Sequence, residues 1–122
     1  MKLEDISNRN RKFQKAAMKV TNLFPGGQVV MMTSVIMRSS KKLDVIFPKL
    51  LTAKTEMRFS IVLEKIEEEM DEIVYALDKL SLLNRRDRLP MLTEFVKYGY
   101  DLLSIYSFAC DKIIERRVTE DL

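Results

Sequence analysis

The segment that decides the fold runs from residue 59 to residue 80 and reads FSIVLEKIEEEMDEIVYALDKL. Its large apolar residues recur at alternating intervals of four and three, and most of its charged residues fall between them. A helix with 3.6 residues per turn places residues at this spacing along one side. The predicted seam consists of Phe59, Leu63, Ile66, Met70, Ile73, Leu77 and Leu80. The segment therefore predicts a long amphipathic helix that packs against other helices.

Three other segments carry the same spacing, one of them shorter. Helices with such seams pack side by side around a shared core. The sequence therefore predicts an all-α fold, an up-down antiparallel four-helix bundle, with a three-helix bundle and a loose first helix as the alternative. The additional seams are Phe13, Ala17, Val20 and Phe24; Met32, Ile36, Ser39, Leu43, Ile46, Leu50 and Ala53; and Leu92, Val96, Gly99, Leu103, Tyr106, Cys110 and Ile113.

The connections set the predicted helix limits at about 8–24, 28–54, 56–83 and 88–116, within one domain that spans residues 1–122. Pro25-Gly26-Gly27 is a cluster that typically ends a helix. Thr55 is a suitable N-cap for the third helix, and Asp87 for the fourth, which has Pro90 in its first turn.

Composition favours a protein of the reducing cytoplasm. Cys110 is the only cysteine, so no disulfide can form within the chain. No apolar run approaches the roughly 20 residues of a membrane helix. Arg and Lys recur through the first 19 residues, where a signal peptide would carry an apolar stretch. We therefore expect a cytoplasmic protein without a membrane partner.

The absence of histidine argues against most enzyme classes. Without histidine the chain cannot form Ser-His or Cys-His nucleophilic pairs or a Cys/His zinc site. It also lacks the glycine-rich motifs that bind nucleotide phosphates. The acidic run from Glu64 to Glu72 lies mostly off the seam and is typical of a solvated helix face. We therefore predict a protein that is not an enzyme and that needs no metal or cofactor.

Charge is distributed unevenly along the chain. Residues 1–55 hold 11 basic and 3 acidic residues, and no acidic residue occurs from Ile6 to Leu43. In the first helix, four cations fall within one sector opposite the apolar seam. Such a face indicates contact with the phosphates of RNA or DNA, or with an acidic partner, although an ordinary solvated face has the same pattern. The candidate contact residues are Arg11, Lys12, Lys15, Lys19, Arg38, Lys41, Lys42, Arg85, Arg86 and Arg88.

The fourth helix has more apolar surface than one core stripe requires. A second seam runs beside the first, and an additional apolar surface of this kind favours self-association. A wide core stripe in a compact monomer is the alternative explanation. The predicted oligomer interface consists of Phe95, Tyr98, Leu102, Ile105 and Ala109.

Three short motifs carry a family resemblance over residues 10–115. Leu23-Phe24-Pro25 ends the first helix, the second contains Ile36-Met37-Arg38-Ser39-Ser40, and the third closes with ALDKLSLL at residues 76–83. These segments resemble the four-helix-bundle family of ribosomal RNA intervening-sequence proteins, which includes the accessory variability determinants (Avd) of diversity-generating retroelements. The chain departs from that pattern at Leu43-Asp44-Val45, where the intervening-sequence branch has an Ile-Pro-x-Asn run.

The resemblance implies a homo-oligomer, commonly a pentamer, that binds nucleic acid and a reverse transcriptase. We therefore expect a non-catalytic accessory protein that assists a reverse transcriptase, as in diversity-generating retroelements. The alternative is a homo-oligomeric structural scaffold of the same family type that has no nucleic-acid role.

Overall fold

The computed structural model describes residues 2–121 and contains four helices. These are α1 (Leu3–Leu23), α2 (Gly27–Thr52), α3 (Glu56–Leu83) and α4 (Pro90–Asp121). Ser7 bonds to Asp44, Asn10 to Ser40 and Thr21 to Thr33, so α1 and α2 run in opposite directions. Each helix packs on the next and α4 packs on α1. The prediction of an all-α four-helix bundle is confirmed.

Two predicted helix limits are wrong because contacts extend both outer helices. Helix α1 begins at Leu3 rather than residue 8. Its first turn contains Glu4 and Asp5, whose negative charges interact favourably with the helix dipole. Ile6 is buried and adds a turn to the apolar stripe of α1. Helix α4 continues to Asp121 rather than stopping at 116, a correction that the contacts of Arg117 explain.

Arg117 fastens the end of α4 to the connection between α2 and α3. Its Nε lies 2.9 Å from Glu56 Oε1, and its Nη1 donates to the carbonyl of Ala53 at 3.1 Å. The guanidinium also lies over the ring of Phe59, 4.3 Å from the ring centroid. These contacts hold the last turns of α4 against the start of α3.

The three connections contain specific turn residues. Gly26 and Gly27 have φ angles of +104° and +67°, which a side chain would strain, and α1 ends before them as predicted. Thr55 Oγ1 accepts the Arg58 N–H at 3.0 Å and caps α3 as predicted. At α4 the predicted cap is wrong, because Asn84 rather than Asp87 accepts the Leu89 N–H.

The core contains most of the predicted seams and an additional row beside them. Val62 and Ala76 of α3 are buried, whereas the predicted Leu63 and Met70 are only partly buried. On α4, Phe95 and Leu102 are 4% and 3% exposed within the single chain. The second apolar row of α4 is therefore largely buried inside the bundle.

A close approach between helices forms around Gly99 of α4. A Cβ atom placed there would lie 2.7 Å from Leu77 and 3.0 Å from Phe13. The ring of Phe13 also stacks on that of Phe95, with centroids 5.1 Å apart. The missing side chain at residue 99 therefore lets α1, α3 and α4 meet.

A polar cluster crosses the core and joins α1, α2 and α4. Asn10 Nδ2 donates to the Tyr106 hydroxyl at 2.7 Å and to the Ser40 carbonyl at 3.0 Å, and its Oδ1 accepts from Ser40 and Gln14. Burial raises the pKa of Tyr106 to about 12, so its hydroxyl keeps its proton at neutral pH. The cluster fixes the register of three helices because each polar group has a buried partner.

The burial of Leu102 yields a prediction that separates core from surface on α4. Leu102→Glu buries a charge without a partner, and we expect it to lower the free energy of unfolding by about 3–5 kcal/mol. Phe108→Glu is the matched control, because Phe108 is 63% exposed. Its effect should stay within about 0.5 kcal/mol. Urea denaturation of both variants measures the difference, and a Leu102→Glu protein as stable as wild type would contradict this core assignment.

The buried tyrosine makes the stability of the protein fall at alkaline pH. Because folding raises the pKa of Tyr106 from 10 to about 12, its burial favours the folded state below pH 10. That contribution is lost as the pH rises from 10 to 12, since only the unfolded state ionises there. Tyr106→Phe removes the Asn10 partner and should cost about 1–2 kcal/mol at pH 7. We expect the stability gap between variant and wild type to narrow above pH 10, and a gap constant from pH 7 to 12 would contradict the assignment.

Candidate nucleic-acid interface

The outer face of α1 is basic. Phe13, Ala17 and Val20 anchor the opposite side of the helix in the core. With about 100° of rotation per residue, that anchorage turns four cations into solvent. The exposed cations are Arg11, Lys12, Lys15 and Lys19.

Three of these four cations have no carboxylate partner in the part of the chain that the structure describes. Arg11 is the exception, since its Nε lies 3.7 Å from Asp44 Oδ2 while the side chain stays 65% exposed. Asp44 also accepts a hydrogen bond from Ser7 at 2.7 Å. No such contact within 4.0 Å involves Lys12, Lys15 or Lys19 among residues 2–121. The α1 row, defined as Lys12, Lys15 and Lys19, is therefore free to bind an anion.

The predicted cations of α2 do not all join the α1 row. Arg38 and Lys41 are exposed, but Lys42 Nζ lies 3.8 Å from Glu69 Oε1 of α3. The other oxygen of Glu69 is buried and makes no hydrogen bond to the described residues. Lys42 therefore lies towards α3 and compensates the charge of a largely buried carboxylate.

The predicted arginines of the α3–α4 connection lie at one end of the bundle. Arg85, Arg86 and Arg88 are all exposed. The end of α1 and the start of α4 face each other here, across a groove of about 450 Å³ that Lys19, Leu23, Met91 and Glu94 help to line. The structure thus places the arginines and the last lysine of the α1 row at the same end.

The predicted oligomer interface is wrong for two of its five residues. Phe95 and Leu102 are buried between helices of one chain, so they cannot contact a second copy. Tyr98, Ile105 and Ala109 are partly buried against the same core, and the Tyr98 hydroxyl donates to the Arg9 carbonyl at 3.2 Å. The wide stripe belongs to the interior because α4 packs on α1 and α3 at once.

A groove at the opposite end of the bundle was not predicted from the sequence. It has a volume of about 990 Å³, and its lining includes the exposed apolar residues Leu3, Leu51 and Phe108. The only signal in the sequence was that Phe108 points away from both seams of α4.

Acidic and nucleophilic side chains form no reactive arrangement in the described chain. The acidic residues between Glu64 and Glu72 are exposed, except Glu69, which is partly buried. Within residues 2–121, no group of three acidic, histidine or cysteine side chains could hold a metal ion. Burial raises the pKa of the Cys110 thiol to about 11, which keeps it protonated and unreactive at neutral pH. None of the helices described has both the length and the apolarity to cross a membrane.

Comparisons with protein-family models, curated proteins and solved structures find no match to the chain.

Proposed function

We propose that the chain is a non-catalytic accessory protein that binds nucleic acid through the α1 row. The observation that carries the proposal is a line of exposed lysines without a carboxylate partner among residues 2–121. Their helix contains no acidic residue after Asp5. Lys12 and Lys19 stand about 10 Å apart along the helix axis at 1.5 Å per residue. Cations at this spacing neutralise successive phosphates and release the counterions condensed on them.

The opposite charge of α3 supports binding from one side. Helix α3 carries five of its exposed acidic residues between Glu64 and Glu72, and it shares its main contacts with α2 and α4 rather than α1. Basic and acidic faces therefore lie on opposite corners of the bundle. A polyanion is attracted to the α1 side and repelled from the α3 side, which orients the protein as it approaches.

The partner enzyme in this proposal is a reverse transcriptase of a diversity-generating retroelement. Its support is the resemblance of Leu23-Phe24-Pro25, of residues 36–40 and of residues 76–83 to the Avd-containing family. The bundle would hold RNA or DNA while the enzyme supplies the chemistry. A reverse transcriptase gene and a template repeat beside the coding sequence would support this role, and their absence would count against it.

Reversing the charges of the α1 row tests nucleic-acid binding directly. Changing Lys12, Lys15 and Lys19 to Glu should abolish binding to single-stranded RNA and duplex DNA at moderate salt. Because the three side chains are exposed, stability should change by about 0.5 kcal/mol or less per site. Affinity measured at several salt concentrations, together with helical content and thermal midpoint, gives the answer.

The matched control changes Lys49, Lys54 and Lys97 to Glu, which alters net charge equally on exposed residues outside α1. This control should bind more tightly than the α1 variant. Equal loss in both variants would show that net charge alone drives binding. A wild-type protein without affinity for either nucleic acid at low salt would contradict the proposal.

The alternative function is a homo-oligomeric scaffold in which a second copy covers the groove at Leu3, Leu51 and Phe108. The observation that favours it is the 63% exposure of Phe108, a large aromatic side chain, on the rim of an apolar groove. Light scattering of wild type and Phe108→Glu tests this scaffold, and we expect the variant to form a smaller species. A wild-type monomer at micromolar concentration would exclude this scaffold.

A further inference from the structure

The connection between α3 and α4 lies on the surface, but hydrogen bonds of one buried residue, Asn84, hold its conformation. Asn84 is 7% exposed, and its side-chain oxygen accepts the Leu89 N–H at 2.8 Å. Its Nδ2 donates to Thr93 Oγ1 at 2.9 Å and to the Leu89 carbonyl at 3.3 Å, and its own carbonyl accepts the Arg88 N–H at 2.8 Å. Asn84, which ends α3, therefore bonds to the start of α4 through its side chain and to Arg88 through its backbone carbonyl.

Arg88 stands in a conformation that its residue type rarely adopts. Its φ angle is +47°, and it is the only non-glycine residue with a positive φ among residues 2–121. Backbone strain of this kind persists only where surrounding contacts impose it, and it is enriched at functional positions. The bonds of Asn84 to Arg88 and Leu89 supply that constraint here.

The turn carries three arginines that form no ion pair with the described residues. Arg85, Arg86 and Arg88 are exposed, and none lies within 4.0 Å of a carboxylate in the described part of the chain. A guanidinium binds phosphate through two parallel N–H groups and stays charged at any physiological pH. Three of them on a restrained backbone suit a polyanion better than three on a mobile loop, because less conformational entropy is lost on binding.

The position of the turn connects it with the α1 row. Lys19 and Leu23 face Met91 and Glu94 across the groove at this end, and Arg88 precedes Met91 by less than one helical turn. From Lys12 to the end of α1 the distance is about 17 Å at 1.5 Å per residue. A nucleic acid that lies along α1 therefore reaches the turn within about five base pairs at 3.4 Å per step.

We infer that the α3–α4 turn is a second phosphate-binding site, which Asn84 holds in place and which extends the nucleic-acid contact of α1 across the end of the bundle. This inference rests on the proposed function. Its ligand is the phosphodiester backbone, contacted by Arg85, Arg86 and Arg88, and Asn84 is a positioning residue that makes no contact with the ligand.

A double-mutant cycle tests both parts of the inference. Affinity for duplex DNA falls with salt, and the slope of log affinity against log salt is therefore negative. Changing Arg85, Arg86 and Arg88 to Gln should reduce the magnitude of this slope by about two to three units. Asn84→Ala alone should weaken binding, although it removes no charge. In the Asn84→Ala background the arginine changes should have a smaller effect than in wild type, because the turn is already displaced.

The controls separate positioning from loss of stability. The control variant has Arg58, Lys65 and Arg116 changed to Gln, all of them exposed residues outside the turn. Its net charge equals that of the arginine variant, but its salt dependence of binding should stay close to wild type. Affinities are measured well below each thermal midpoint. Should Asn84→Ala fail to fold, Thr93→Val removes one Asn84 partner and replaces it in the cycle.

The outcomes are distinct. If wild type binds duplex DNA and the arginine variant binds with the same slope, the inference is overturned and the proposed function stands. If the effects of Asn84→Ala and of the arginine changes simply add, the positioning role of Asn84 is wrong. If wild type binds neither RNA nor DNA at low salt, inference and proposed function are both overturned.

Limited digestion with trypsin gives an independent readout, since trypsin cleaves after arginine. We expect slow cleavage at the turn in wild type, faster cleavage in Asn84→Ala, and protection when duplex DNA is added to wild type. Inorganic phosphate at matched ionic strength should not protect. Protection by inorganic phosphate alone would overturn the assignment of the site to a nucleic-acid backbone.

Discussion

The packing of Phe13 against Gly99 and Phe95 is the contact on which the rest of the structure depends. It brings α1 onto α4 and closes the bundle, since the two helices meet where residue 99 lacks a side chain. The hydrogen bonds of Asn10 to Ser40 and Tyr106 then fix the register of α1 against α2 and α4. Because the apolar side of α1 is fixed in this way, its lysines have only one direction in which to point. The candidate interface is thus a consequence of the core.

The fold was largely predictable because the four-three spacing specifies a helix and one buried side. The width of the buried side was not predictable, since the spacing of apolar residues does not determine how many neighbours a helix contacts. Phe95 and Leu102 illustrate this, because α4 packs on two helices and buries both rows. The charged residues were easier to place. Lys12 is exposed simply because it lies opposite the seam, whereas the pairing of Lys42 with Glu69 depends on how α2 meets α3.

Two features that were not predicted depend on contacts beyond the reach of local capping rules. Arg117 extends α4 because it reaches Glu56 and the Ala53 carbonyl, which are far away along the chain. Asn84 accepts the Leu89 N–H from five residues upstream, whereas the capping rule considers only the residue just before the predicted helix start, which is Asp87. Helix propensity and local capping rules carry no information about such partners. The turn that presents the arginines could therefore be recognised only in three dimensions.

The arrangement of charge on α1 argues against a face that serves solubility alone. Arg11, Lys15 and Lys19 follow one another at intervals of four, where like charges destabilise a helix by about 0.2–0.5 kcal/mol per pair. Alternating acidic and basic residues at the same positions would solvate the helix equally well and stabilise it. Of these cations, only Arg11 has an ion-pair partner within the described part of the chain, Asp44 on α2. In the proposed function, a polyanion bound along the α1 row removes this repulsion.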